Sequence, residues 1–422
     1  MEIHRDIYTD IADHLTSKEI TLIVGPRQVG KTTLMRELQK NLEEKGERTL
    51  FLNLDVERDN KFFESQELLL NKIQLEIGPG RGYVFIDEIQ RKENAGVFLK
   101  GLYDMNLPYK FIVSGSGSLE LKEQIHESLV GRKRMFLVNP ISFKEFVDYR
   151  TGYAYTNHLE SFFTLERDQT LLLLREYLNF GGYPRVVLAS RMAEKLKILD
   201  EIFRSYIEKD IVYLLRLERP EMYKNLIKTL AAHVGGLLTY SEIASQVGLS
   251  VQTVKKYLWF AEKTFIVKTV PPFYKNIRKE IYKSHHLYFY DLGLRNYALG
   301  LTGMLDNPVE LGFLFENLIC NILQERLQWS GASLHFWRTA DKTEVDFIIR
   351  RHSGVFPVEV KFASLYKPTV PRPLRSFITK YSPEEAYVIT TTYQAEAMVN
   401  EIPVRLIPFY ALITRKDLKV FS

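Results

Sequence analysis

Residues Gly25 to Thr33 read Gly-Pro-Arg-Gln-Val-Gly-Lys-Thr-Thr, which fits the GxxxxGK[ST] spacing of a phosphate-binding loop. In such a loop Gly25, Pro26, Arg27, Gln28, Val29, Gly30 and Thr33 wrap the phosphates with backbone, and the following helix N-terminus adds partial positive charge. Lys31 is expected to reach the β- and γ-phosphates and Thr32 to offer its hydroxyl to Mg²⁺. The implied ligands are ATP and Mg. An acidic pair, Asp87-Glu88, follows the apolar run Tyr83 to Ile86. Asp87 suits the metal, directly or through water, and Glu88 suits the water that attacks the γ-phosphate. Asp55 also ends an apolar run, Thr49 to Leu54, but no Glu follows it; it reads as structural or secondary. Ser114, or Ser116 after it, could sense the γ-phosphate from the end of the strand Phe111 to Val113; the other reading is a flexible Gly/Ser turn. In Ser128-Leu129-Val130-Gly131-Arg132-Lys133-Arg134, Arg132 could serve a neighbouring subunit as an arginine finger. Lys133 and Arg134 read rather as a solvated basic loop.

The tail holds a second set of chemical groups. Gly312 to Ile319 reads as a helix bearing Glu316, Thr343 to Ile349 as a strand bearing Glu344 and Asp346, and Val355 to Lys361 as a strand bearing Glu359 and Lys361. Strand side chains alternate faces, so pairing of the two strands can bring Asp346, Glu359 and Lys361 together. Two carboxylates there make an oxygen-rich Mg²⁺ site, which Glu316 could complete. Lys361 could orient a water or stabilise charge on a phosphate, with Val358, Val360 and Phe362 expected to enclose it.

Particular elements must position these groups. Ile20 to Val24 is an apolar run suited to a buried parallel strand. Lys31 to Glu44 carries Leu34, Leu38 and Leu42 at helical spacing. Asn139 to Val147 reads as the start of a helical lid with Pro140 early in its helix. Leu165 to Leu217 is helical in pattern, broken at Gly181-Gly182-Tyr183-Pro184. Next come a helix over Tyr223 to His233, a capped helix over Thr239 to Val247, the turn Gly248-Leu249-Ser250 and a helix over Val251 to Lys263, a helix-turn-helix signal. Gln252, Thr253, Lys255 and Lys256 could touch phosphates or base edges. Phe265 to Val270 and His286 to Tyr290 could form a wing, with Lys275, Arg278, Lys279 and Lys283 between them beside Tyr274 and Tyr282. The other reading of this module is protein packing with a solvated basic face.

Two resemblances rest on these residues. The loop at 25–33, Ile-Asp-Glu-Ile-Gln at 86–90, Ser-Leu-Val-Gly-Arg at 128–132 and Gly-Gly-Tyr-Pro at 181–184 resemble the prokaryotic AAA-type P-loop ATPases that carry a C-terminal domain of uncharacterised function. That resemblance implies a parallel sheet of about five strands, a helical lid and homo-oligomeric assembly. The order helix-Glu316, strand-Asp346, strand-Glu359-Val360-Lys361 resembles the PD-(D/E)xK nuclease core, although the Pro-Asp pair is absent.

The chain has 422 residues, 45% hydrophobic and 26% charged, with a formal net charge of +5. Such a length exceeds one ordinary core. Cys320 is the only cysteine, so no disulfide can form within the chain. The start has no signal-peptide pattern and no apolar run approaches the roughly 20 residues of a membrane span. The expectation is a cytoplasmic α/β protein without membrane contact. It divides into a P-loop core at 1–138, a helical lid at 139–217, a winged-helix module at 218–300 and a nuclease-like domain at 301–422. The expected function is Mg-dependent ATP hydrolysis coupled to DNA binding or remodelling, with a further metal-dependent cleavage site. The alternative is an ATP-controlled oligomeric switch that binds protein through the winged helix and tail.

Overall fold

The structure, a computed structural model, describes residues 3–116, 129–206, 220–274, 284–363 and 365–421. After a first helix, Ile7–His14, five parallel strands build the N-terminal sheet: β1 (Ile20–Gly25), β2 (Thr49–Asn53), β3 (Gly82–Asp87), β4 (Tyr109–Ser116) and β5 (Lys133–Leu137). Their spatial order is β2-β3-β4-β1-β5, so β4 sits between the strand feeding the phosphate loop and the strand ending in Asp87. β1 and β3 are buried along their whole length, which is why they read as unbroken apolar runs. The helix Lys31–Glu44 buries Leu34, Met35, Leu38 and Leu42 on one side and leaves its polar side to solvent. Lys133 and Arg134 do not form a solvated loop: they open β5, the edge strand, where long basic side chains can reach past the sheet to water.

The lid departs from expectation at its entry. Pro140 precedes the helix Phe143–Arg150, which starts at Ser142 through a capping box with Glu145. The long helical pattern resolves into Arg167–Phe180, a short turn of helix Pro184–Leu188 and Met192–Ser205. Among the described residues the next helices are Pro220–Ala232, Tyr240–Val247 and Val251–Lys263, and then comes an antiparallel ribbon of β6 (Val267–Val270) and β7 (His286–Phe289). Gly248, at φ 69°, closes the second of these helices, and Ser250 caps the third by accepting the Thr253 N–H at 3.1 Å. Thr239 makes no such side-chain cap. Ser128, Lys275, Arg278, Lys279, Tyr282 and Lys283 lie outside the described residues.

The C-terminal part is a six-stranded sheet: β8 (Ser333–Arg338), β9 (Glu344–Arg351), β10 (Gly354–Val360), β11 (Ala386–Thr390), β12 (Ala395–Val399) and β13 (Ile402–Pro408), ordered β12-β13-β11-β10-β9-β8. β8, β9 and β10 run as an antiparallel meander; β11 then joins β10 in parallel after the helix Arg372–Tyr381. The helix Pro308–Leu327 packs Leu314, Phe315, Leu318 and Ile319 into the core and is longer at both ends than the expected 312–319. One apolar core runs from the P-loop sheet through the lid to the tail: the Phe143 ring meets Phe409 at 5.3 Å and Phe163 stacks on Tyr410 at 5.1 Å. Among the described residues no helix is long and apolar enough to cross a membrane.

Candidate functional sites

The phosphate loop leaves β1 at Gly25, where the backbone presses on the next strand: a Cβ added there would fall 2.2 Å from the Val138 carbonyl oxygen. Gly30, at φ 93°, turns the chain into the helix in a conformation L side chains disfavour. Lys31 is buried, and its Nζ donates to the carbonyls of Gly25 (3.1 Å) and Pro26 (2.6 Å). These are bonds that an arriving phosphate can replace. Thr32 Oγ1 donates to Asp87 Oδ2 at 2.7 Å. A hydroxyl and a carboxylate meeting at the mouth of a phosphate loop are the hard oxygen donors that suit Mg²⁺.

Since β4 lies between β1 and β3, Ser114 stands beside the acidic pair. Its hydroxyl donates to Asp87 Oδ1 and accepts the Glu88 N–H at 3.2 Å. Ser114 therefore fixes the backbone of the proposed base, and is part of the buried strand rather than of a flexible turn. Glu88 adopts φ 58°, unusual for a non-glycine, and the Gln90 amide holds its carboxylate. Asp55 pairs its carboxylate with Arg91 at 2.7 Å, and its N–H bonds Asn53, whose amide donates to Asp87 Oδ2 at 3.4 Å. Arg132 precedes β5, where its carbonyl accepts the Ile20 N–H at the start of β1. One strand length, about 17 Å, separates it from the phosphate loop of its own chain, and it pairs with Asp104 at 2.8 Å.

Sequence reasoning missed two cations here. Arg185 Nη1 reaches Gln28 Oε1 of the loop at 3.3 Å and Glu201 at 2.8 Å. Arg5 spans the Val29 carbonyl (2.9 Å), the Asn139 carbonyl (2.7 Å) and Glu145 (3.1 Å), tying the loop to the lid. The sequence signal for Arg185 was its place directly after the Gly-Gly-Tyr-Pro break.

In the tail, the antiparallel pairing of β9 and β10 brings Asp346, Glu359 and Lys361 together as expected. Asp346 Oδ2 accepts the Val360 N–H at 2.7 Å, and Lys361 Nζ donates to Glu359 Oε1 at 2.8 Å. Lys361 follows the strand and is half-exposed, so Glu359 rather than the apolar neighbours holds its ammonium. Burial raises the Asp346 carboxyl against the opposing pull of Lys361, and burial together with the Asp346 charge lifts Glu359 to about 8. Burial and Asp346 likewise push Glu316 well above the usual carboxylate range. Burial alone would lower Lys361, but the Glu359 and Asp346 charges outweigh it and the amine is raised.

Buried Glu359 Oε2 has no hydrogen-bond partner among the described residues. An unsatisfied buried oxygen of this kind suits a hard cation, and Asp346 and Glu316 are the acids that would have to turn towards it to complete the set. No group of three or more His, Cys, Asp or Glu side chains stands in metal-holding array among the described residues. Glu316, Asp346 and Glu359 are instead engaged by Tyr288, Val360 and Lys361. Glu344, on the same strand as Asp346, pairs with Arg338 at 2.6 Å and lies 3.5 Å from His286.

Three family models match successive stretches of the chain. One described as an AAA domain covers residues 17–147; domains of unknown function DUF8612 and DUF4143 cover residues 171–305 and 311–411. Similar proteins include an uncharacterised protein of Haemophilus influenzae, 27% identical over 358 residues that span 81% of this chain and 82% of that one. Another, from Methanocaldococcus jannaschii, is 26% identical over 351 residues, 81% of this chain and 75% of that one. Among solved structures, AMPPCP-bound DnaA from Aquifex aeolicus is 14% identical with a TM-score of 0.26, over 61% of this chain and 86% of that chain. CDC6p from Pyrobaculum aerophilum is 11% identical with a TM-score of 0.28, over 70% and 92%. Such low overlaps carry nothing about the arrangement of the whole chain. The fold of residues 17–147 is that of an AAA-type P-loop domain, by the family model and by the loop and acidic pair built on its parallel sheet.

Proposed function

We propose that this chain is a Mg²⁺-dependent ATPase whose hydrolysis is coupled to DNA binding or remodelling, with a metal-dependent phosphodiester-cleaving site in the C-terminal sheet. The observation that carries the ATPase is the chain Thr32–Asp87–Ser114–Glu88, joined by hydrogen bonds between the start of the helix Lys31–Glu44 and the adjacent strands β3 and β4. In this reading Asp87 holds the metal and Glu88, the next residue, polarises the attacking water beside the phosphate loop. Support for DNA comes from the helix Val251–Lys263. This helix follows a glycine turn in a helix-turn-helix arrangement and exposes Gln252, Lys255 and Lys256. The test is a panel of single-stranded, double-stranded and branched DNA assayed for binding, cleavage and ATPase stimulation. A flat ATPase rate and no affinity for any of them would favour a protein-binding switch.

Charge reversal at Lys255→Glu with Lys256→Glu is expected to weaken DNA binding across all sequences. It should also shallow the slope of log affinity against log salt by about 1–2, since each lost phosphate contact releases about one counterion fewer. Filter binding between 50 and 200 mM salt reads this out; unchanged affinity in a folded variant moves the contact elsewhere.

Arg132, remote from its own phosphate loop, acts in this reading on the γ-phosphate of a neighbouring copy in a homo-oligomer. Arg132→Ala and Lys31→Ala subunits are each expected to be inactive alone and to recover partial ATPase activity when mixed. Each supplies what the other lacks at one interface, where a finger contributes roughly 10³-fold or more in rate. No recovery in mixed oligomers of verified composition, or a protein that stays monomeric with ATP, rules the trans role out.

A further inference from the structure

The carboxylate site of the tail is not built by the tail alone. Tyr288, on β7 of the ribbon, donates its hydroxyl to Glu316 Oε1 at 2.7 Å. Gly235, at φ 72°, closes over the same carboxylate from the chain that follows the helix Pro220–Ala232: a Cβ there would fall 3.0 Å from Glu316 Oε1. The next residue of the ribbon is clamped as firmly. Phe289 gives its N–H to Asn317 Oδ1 and takes the Asn317 amide on its carbonyl, both at 2.8 Å, with Asn317 fully buried one residue beyond Glu316. The ribbon and the acid-bearing helix therefore move as one piece over residues 288–289 and 316–317.

Two residues further on, the same segment grips the lid. Asp291 Oδ2 accepts the Gly182 N–H at 2.7 Å, and its other oxygen caps the helix Leu292–Leu299 through Leu294 N–H at 2.8 Å. Gly181 and Gly182 are glycines because nothing larger fits. A Cβ on Gly181 would lie 2.4 Å from Asp291 Oδ1, and one on Gly182 would lie 2.1 Å from the Ile141 carbonyl oxygen. Gly182 in turn accepts the Ile141 N–H at 2.7 Å, three residues beyond Val138, whose N–H bonds the Val24 carbonyl at 2.8 Å at the root of the phosphate loop. On its other side the break carries Pro184, 3.9 Å from where a Gly30 Cβ would stand, and Arg185 on Gln28. From loop to carboxylate the path is made of backbone and side-chain hydrogen bonds and close glycine contacts, and packed arrangements of this kind shift between discrete states rather than deform.

We infer that the segment Tyr288–Asp291 couples the two sites, with Tyr288 the positioning residue that sets Glu316 for a divalent cation, so that nucleotide at the phosphate loop changes cation affinity at Asp346 and Glu359. This rests on the reading of the tail as a metal site. Coupling between binding sites is reciprocal, so it appears as the same factor whichever ligand is varied. Residues that orient a metal ligand typically change affinity by about 10–100-fold when lost.

The test uses the full chain. Free Mn²⁺ is followed by electron paramagnetic resonance during titration, without nucleotide and with a saturating non-hydrolysable ATP analogue. Each titration is paired with Asp346→Ala at the same nucleotide concentration, so that ion held by the nucleotide cancels. The expected result is an Asp346-dependent site whose affinity changes about fivefold or more with the analogue. Tyr288→Phe, which keeps the ring and its packing, should weaken that site about tenfold in a protein that still melts cooperatively, with a drop of only a few degrees from the lost hydrogen bond. Asp291→Asn should leave the nucleotide-free affinity as it was and erase the response to the analogue. An Asp346-dependent site that ignores both nucleotide and Tyr288→Phe overturns the coupling and leaves the metal reading intact. No Asp346-dependent Mn²⁺ at all overturns the metal reading and the coupling with it.

Discussion

Glu88→Gln is expected to bind ATP·Mg²⁺ about as tightly as the wild type and to turn it over about 10²–10⁴-fold more slowly, the usual contribution of a positioned base. The carboxylate follows β3 directly, with its backbone N–H held by Ser114 and one of its oxygens held by Gln90. Replacement by the isosteric amide removes basicity and keeps shape, so an ATP-bound state should accumulate. Lys31→Ala is expected to fail earlier. The lysine is 5% exposed and folds back on the Gly25 and Pro26 carbonyls, so its ammonium is already inside the loop where the β- and γ-phosphates belong. Without it, tight nucleotide binding is lost and turnover with it. Titration with a fluorescent ATP analogue separates the two variants, and phosphate release measures the rate. Wild-type hydrolysis by Glu88→Gln would remove Glu88 from the chemistry and leave the acidic pair with Asp87 alone.

The parts of these sites that could be read from the sequence are those whose determinants are local. A glycine-rich loop between an apolar strand and an amphipathic helix is a contiguous pattern, and Asp87-Glu88 and Glu359-Val360-Lys361 are each written at a strand end. Alternation along β9 and β10 was enough to bring Asp346 and Glu359 together. Arg185, Arg5 and Asp291 are different in kind. Arg185 meets Gln28 across 157 residues of sequence, Arg5 meets Asn139 across 134, and Gly182 meets Asp291 across 109. No spacing rule reaches that far. β5 was misread for a related reason: an edge strand exposes half its residues, so Lys133 and Arg134 dilute the apolar signal. Val358, Val360 and Phe362 all lie an odd number of positions from Lys361 and so face the other side of the strand, while Glu359, two positions before it, shares its side and holds the ammonium.

Asp346→Ala is expected to abolish metal-dependent cleavage of DNA while ATP turnover persists, because Asp346 lies in the C-terminal sheet and Asp87 in the P-loop sheet. The effect should depend on pH in a defined sense. Burial, then the Asp346 charge, lifts Glu359 from its ordinary 4.5 to about 8, and burial raises Asp346 and Glu316 as well. A carboxyl whose folded value is raised favours folding fully only below its unfolded value, and that contribution is lost as pH climbs through the folded one. For Glu359 the window runs from about 4.5 to about 8. Across it the apo protein should lose stability while Mn²⁺ binding tightens, since the ion displaces protons from the same oxygens. Lys361 faces this group as the compensating cation and Tyr288 stands beyond it as a neutral donor to Glu316. Glu359→Gln removes the burdened charge and should raise the melting temperature by a few degrees at pH 8 and by much less at pH 4, while losing Mn²⁺ affinity at both. Thermal melts at the two pH values, with and without Mn²⁺, measure each part. Melting temperatures that fall with Glu359→Gln at pH 8 would mean that the wild-type carboxylate is ionised and satisfied there, and that the site holds a structural ion pair with Lys361 in place of a metal.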